Sequence, residues 1–216
     1  MKAEGERDIF GNMPNLIREA AGEGIVLLKN NNALPYNKDT KISVFGRCQL
    51  DYFYVGYGSG GDVNAPYFVN VIDGIKNAGG KVNEWLLNYY KDFSKNNPAP
   101  HGFWGHWPMS FEEPHLDDET VKRASEESDV ALVVIGRAAG EDRENTLTKG
   151  SYYLTDEERK LLDQVCNNFS NVTVLLDCGN VIDMQWVLDY NDRLRGIIYA
   201  WQGGMESGNA IADVLY

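Results

Sequence analysis

The sequence predicts an α/β fold, a mostly parallel sheet with helices on both faces, formed as a single domain. Three observations predict it. Four short apolar, β-branched runs are each bounded by turn residues. None of them alternates polar with apolar residues, which is the pattern of strands covered on both faces. Between them lie segments with apolar residues at three- and four-residue spacing, the helical crossovers that parallel strands require. A length of 216 residues is at the upper end of what one hydrophobic core serves.

Strands are expected at residues 41–46 (KISVFG), 129–136 (DVALVVIG), 172–177 (VTVLLD) and 194–200 (LRGIIYA). Helices are expected at 16–21, 67–78, 117–127, 155–169, 181–190 and 205–215, and Thr155 with Glu158 has the spacing of a capping box. Residues 83–116 break the rhythm: a further helical run over 82–95 leads into NNPAP and then HGFWGHWPM. This excursion from the sheet is too long for an idle connection, and Phe103, Trp104 and Trp107 do not suit disorder.

A formal charge of −12 repels polyanions, so nucleic acid is not an expected partner. No apolar run approaches the roughly 20 residues of a membrane-spanning helix, and the charged start, residues 1–8, has no apolar stretch behind it. The chain therefore reads as soluble and cytoplasmic, without a membrane partner. Cys48, Cys166 and Cys178 are far apart beside apolar stretches, which suits reduced, buried thiols better than a disulfide framework or a metal set.

In an open parallel sheet the functional crevice lies outside the carboxyl ends of the strands, so the loops there hold the candidates. The first contains Gly56-Tyr57-Gly58-Ser59-Gly60-Gly61, which satisfies G-x-G-x-x-G as text. About ten residues separate it from the strand before it, and no helix opens directly from it, unlike a dinucleotide fingerprint. It reads otherwise as backbone that approaches a polar ligand closely, with the Ser59 hydroxyl as donor and acceptor, or as a flexible turn. The second loop is dense in charge: Arg137, Glu141, Asp142, Arg143 and Glu144. A carboxylate there can be a proton donor, part of an ion-pair scaffold, or solvated surface. His101, His106 and His115 match no metal spacing. Trp104 and Trp107 can stack on a sugar ring or pin the excursion to the domain.

With these residues laid out, the chain resembles the second, α/β-sandwich domain of glycoside hydrolase family 3, the β-glucosidase family. The resemblance rests on REAAGEGIVLLKNNNALP at 18–35, KISVFG at 41–46, GYGSGGDV at 56–63 and SDVALVVIGRAAGEDREN at 128–145. It continues through LTDEERKLLDQV at 154–165, VTVLLDCGNVIDMQW at 172–186 and GIIYAWQGGMESGNAIADVLY at 196–216. It implies a six-stranded sandwich and a retaining hydrolase that removes terminal β-linked sugars, with a nucleophile and an acid/base as two separate carboxyl groups. The family's nucleophile belongs to a TIM-type barrel domain, commonly in an S-D-W context that this sequence lacks. The sandwich supplies the acid/base, and the matching residue is Glu141, with Glu144 the alternative because the loop is shorter by one or two residues. Asp142 and Arg143 would support it; Ser59, with Gly58 and Gly60, would line the sugar site, and Trp104 or Trp107 the leaving-group side.

No cofactor is expected, and the histidine spacing predicts no metal. The resemblance implies that the nucleophile comes from a barrel in the same or a separate chain, so that these residues alone hydrolyse nothing. Glu141 would have to be protonated in the free enzyme, with a pKa raised by burial under the barrel and by the nucleophile's charge. The sandwich stands first here, where the commoner order is barrel first, so the sequence is expected to be a fragment or the opening part of a sandwich-first arrangement. A face meant for the barrel makes a homo-oligomer a further expectation. The competing reading is a non-catalytic sugar-binding or regulatory module of the same fold.

Overall fold

The computed structural model describes residues 11–61, 63–141, 143–190 and 192–216. Six strands form one sheet: β1 (Val26–Asn30), β2 (Lys41–Phe45), β3 (Lys81–Val82), β4 (Val130–Arg137), β5 (Val172–Cys178) and β6 (Leu194–Tyr199). Six helices accompany them: α1 (Met13–Gly24), α2 (Val71–Asn77), α3 (Glu84–Asn96), α4 (Asp118–Glu126), α5 (Asp156–Asn168) and α6 (Ser207–Leu215). The sheet order is β1-β6-β5-β4-β2-β3, parallel throughout except for the antiparallel edge pair β1 and β6.

The absence of alternation in the four central strands has the expected cause. Val133 and Ile135 of β4 and Val174 and Leu176 of β5 join the core under α4 and α5, with Val121, Leu162 and Val165. Their neighbours Leu132, Val134 and Leu175 join Ile72, Ile75, Ile211 and Leu215 under α2 and α6 on the other face. Both sides of each strand are thus removed from water, and both must be apolar. Cys48, Cys166 and Cys178 are all buried and unbridged.

Two strands escape the sequence pattern. β3 is only two residues long, and β1 lies at the edge, where Val26, Leu27 and Leu28 remain exposed. Because β3 pairs with β2, the departure from the sheet begins after Val82. Asn83 then caps α3, accepting a hydrogen bond from Leu86 N, and Asn70 caps α2 by accepting from Asp73 N, which delays that helix to residue 71. The helix expected over 181–190 is instead a short 3₁₀ turn, Gln185–Asp189. Ile182, Trp186 and Tyr190 are buried at helical spacing, but the Trp186 indole donates to Asp183 O and Asp183 N donates to Tyr152 O, so the backbone is held by partners outside a helix.

Candidate functional site

Strand order decides where the site lies. From β2 the chain moves outward to β3, then returns to the other side of β2 for β4 and proceeds through β5 to β6. The direction therefore reverses between β2 and β4, the kind of point at which open α/β sheets carry ligand sites, and the loops leaving those two strands are the candidates. They are the glycine loop and the charged loop singled out in the sequence.

The two loops are joined by backbone. Tyr57 and Gly140 form a parallel bridge, with Tyr57 N donating to Ala139 O at 2.8 Å and Glu141 N donating to Tyr57 O at 3.1 Å. This brings Glu141 over the glycine loop, where its Oε2 accepts from Ser59 N at 2.8 Å and also from the Ser59 hydroxyl. Gly58 makes the approach possible. Its φ is +105°, and a Cβ there would stand 2.4 Å from Glu141 Cβ. Gly60, at the exposed turn, has no atom near the position of a Cβ, so packing does not require a glycine there.

Glu141 is exposed, and both Ser59 donors favour its ionised form, first the hydroxyl and then the amide, which holds its pKa below the ordinary glutamate value. The raised value expected from sequence was tied to burial under a barrel and to the nucleophile's charge; in this domain the two Ser59 hydrogen bonds outweigh a smaller desolvation, and the direction is downward. Glu144 is exposed three residues on and makes no hydrogen bond to the glycine loop among the described residues. Asp142 lies outside the described residues. Arg143 reaches the aromatic excursion, its Nε donating to Trp107 O at 2.6 Å.

The tryptophans divide the roles that the sequence left open. Trp107 is only 4% exposed and stacks on Tyr57 with ring centroids 5.2 Å apart and planes 4° from parallel, so it pins the excursion to the glycine loop. Trp104 meets Trp107 in an edge-on contact but stays 51% exposed, with a surface free to meet a ligand.

Three features around the site went unremarked in the sequence or, for Arg137, were named there only as part of the charged loop. Arg137, fully buried at the end of β4, donates to both oxygens of Glu158 at 2.6 Å and to the carbonyls of Ser151 and Tyr153. It ties the far end of the charged loop to the first turn of α5. Asp177, fully buried at the end of β5, accepts from Phe53 N at 2.7 Å and so holds the start of the glycine loop; burial raises its pKa strongly. Trp201 follows β6 in a left-handed conformation, φ +57°, with its carbonyl accepting from the Tyr52 hydroxyl. The signal for the first two was legible: a charged residue closing an otherwise apolar strand.

The model for the glycosyl hydrolase family 3 C-terminal domain matches residues 25–216. A β-glucosidase of Ruminococcus albus is 46% identical over 198 residues, 91% of this chain and 21% of that protein. Beta-glucosidase A of Butyrivibrio fibrisolvens is 33% identical over 222 residues, 91% of this chain and 26% of that protein. Among solved structures, a β-glucosidase from Paenibacillus barengoltzii superposes with a TM-score of 0.92 at 45% identity, over 95% of this chain and 23% of that one. β-Glucosidase 3B of Thermotoga neapolitana in complex with glucose gives 0.81 at 32% identity, over 96% of this chain and 29% of that one. The chain thus spans about a quarter of the length of these two relatives.

Proposed function

The chain belongs to the glycosyl hydrolase family 3 C-terminal domains, and from that premise we propose that it is the acid/base-bearing domain of a retaining β-glucosidase-like enzyme. The observation that carries the reading is Glu141 at the strand-order reversal, presented by the loop after β4 and met by Ser59 from the loop after β2. The relatives' printed activity, β-glucosidase, makes a terminal β-linked glucoside the proposed substrate.

Retaining chemistry needs two carboxyl groups about 5 Å apart on either side of the anomeric carbon. Glu141 supplies one, and a barrel domain, in the same or another chain, would supply the other. Glu141 first donates a proton to the departing oxygen while the second carboxylate bonds the anomeric carbon. It then takes a proton from water as that water releases the sugar. The first step requires Glu141 protonated, whereas Ser59 favours the anion in this domain. A sugar hydroxyl that takes over the Ser59 hydroxyl, a barrel that excludes water, and a second carboxylate nearby all push the pKa upward, the direction a general acid needs.

The test is Glu141→Ala in the barrel-bearing enzyme. Turnover on glucosides with poor leaving groups should fall by roughly 10²–10⁴-fold, while dinitrophenyl glucoside keeps a fast first step and azide restores turnover by forming a β-glucosyl azide. The 216-residue chain alone should be inert on nitrophenyl β-glucoside. If Glu144→Ala shows this pattern and Glu141→Ala does not, the acid/base is Glu144.

A further inference from the structure

Beyond Ser59 and Tyr57, Glu141 has little to hold it. Its side chain is exposed, and the backbone around it is rich in glycine: Gly56, Gly58, Gly60 and Gly61 in one loop and Gly140 in the other. Glycine loses the most freedom on ordering, so such a crossing is intrinsically loose. What stiffens it is Tyr57, whose amide and carbonyl clasp Ala139 and Glu141 while its ring lies flat on buried Trp107. The excursion that carries Trp107 is itself fastened to the charged loop at two more points. Ala138 N donates to Met109 O at 2.8 Å, and Arg143 Nε donates to Trp107 O at 2.6 Å. The ties lie on both sides of Glu141 in sequence, at residues 138 and 143, and the stack closes the ring through Tyr57.

Resting on the acid/base reading of Glu141, we propose that Trp107, locked by Arg143, is a positioning residue that sets where Glu141 sits by holding Tyr57 against the charged loop. The aromatic excursion then has a definite purpose. It supplies the rigid surface that a glycine-rich crossing lacks, and a shift of the Trp107 ring moves the carboxylate relative to Ser59. Misplacing a reacting group by about 1 Å costs on the order of 10²-fold in rate.

The titration of Glu141 reads this directly, because among the described residues Ser59 is the only hydrogen-bond partner behind its shift, and no charged group contributes to it. Carboxyl-carbon NMR of the 216-residue chain should find the Glu141 midpoint below the ordinary glutamate range. In Trp107→Ala it should rise toward that range as Ser59 and Glu141 part, and Trp107→Phe, which keeps a stacking ring, should restore most of the lowering. Arg143→Ala removes the lock without opening the core, should move the midpoint in the same direction, and decides the matter if Trp107→Ala does not fold. A folded Trp107→Ala or Arg143→Ala chain in which Glu141 titrates as in the unaltered chain overturns the proposal. In the barrel-bearing enzyme, Trp107→Ala should lower kcat on poor leaving groups about 100-fold with little change in KM. Failure of the acid/base reading would show separately, as an undiminished Glu141→Ala enzyme, whatever the titration finds.

Discussion

At Glu141 the chemistry turns on one hydroxyl, one amide and one missing side chain. Ser59 contributes the two donors and Gly58 the clearance, and the glycine's left-handed φ would be unfavourable for any other residue even with room around it. Gly58→Ala should therefore cost about 1–3 kcal/mol in urea unfolding, the usual range for a strained backbone position. It should also abolish the downfield-shifted Ser59 amide expected of a carboxylate partner, because the added methyl would stand 2.4 Å from Glu141 Cβ and push it away. An unshifted unfolding midpoint with the Ser59 amide unchanged would show that the two loops do not approach as described. The residue types were legible in sequence, since a serine among glycines and a carboxylate after a strand are recognisable candidates. The hydrogen bond between residues 59 and 141 was not, because spacing along the chain carries no information about which loops meet.

Among the elements, β4 and α5 are coupled by a buried charge pair. Arg137 and Glu158 are both nearly inaccessible, and the same glutamate completes the capping box of α5 by accepting from Thr155 N at 2.8 Å while its own amide donates to Thr155. One carboxylate thus ends a strand, starts a helix and returns the charged loop. Removing it leaves a guanidinium without its counter-charge in the core, which costs far more than the pair contributes against an apolar replacement. Glu158→Ala should lower stability by about 3–5 kcal/mol in guanidinium unfolding, and Arg137→Met with Glu158→Leu together should cost less than Glu158→Ala alone. The capping box was legible from T-D-E-E. The arginine's share in it was hidden because Arg137 sits 21 residues earlier, at the end of a strand.

For the whole molecule, acidity enters through the interior as well as the surface. Glu113 is buried where the excursion rejoins the domain, its two oxygens accepting from Arg47 N at 2.9 Å, and burial pushes its pKa up to about 8 despite that hydrogen bond. Because the folded value is above the unfolded one, the native state holds a proton that the unfolded chain releases. The resulting stability is full below the ordinary glutamate pKa and is lost as pH rises through about 8. Stability should accordingly decline between roughly pH 4.5 and 8, with a slope from this group of at most about 1.4 kcal/mol per pH unit. Glu113→Gln, which keeps the shape and cannot ionise, should remove that component. Thermal unfolding across this pH range checks it, and equal slopes in the two chains would contradict it.

Sequence by itself determined the layered α/β architecture, because an apolar run without alternation can be satisfied only by cover on both faces, and helical spacing between such runs supplies the cover. It also determined which loops to search and the residue types they offer, and its motifs pointed to the family. Tertiary structure decided the rest. Strand order placed the reversal between β2 and β4, an outcome of crossover direction that no local pattern encodes. Contact between loops chose Glu141 over Glu144 as the partner of Ser59, set the direction of its pKa, and gave Trp107 to the Tyr57 ring rather than to solvent. The physical reason is range: burial and propensity act through each residue's own surface and neighbours in sequence, whereas a site is made of groups brought within hydrogen-bond distance by the folding of everything between them.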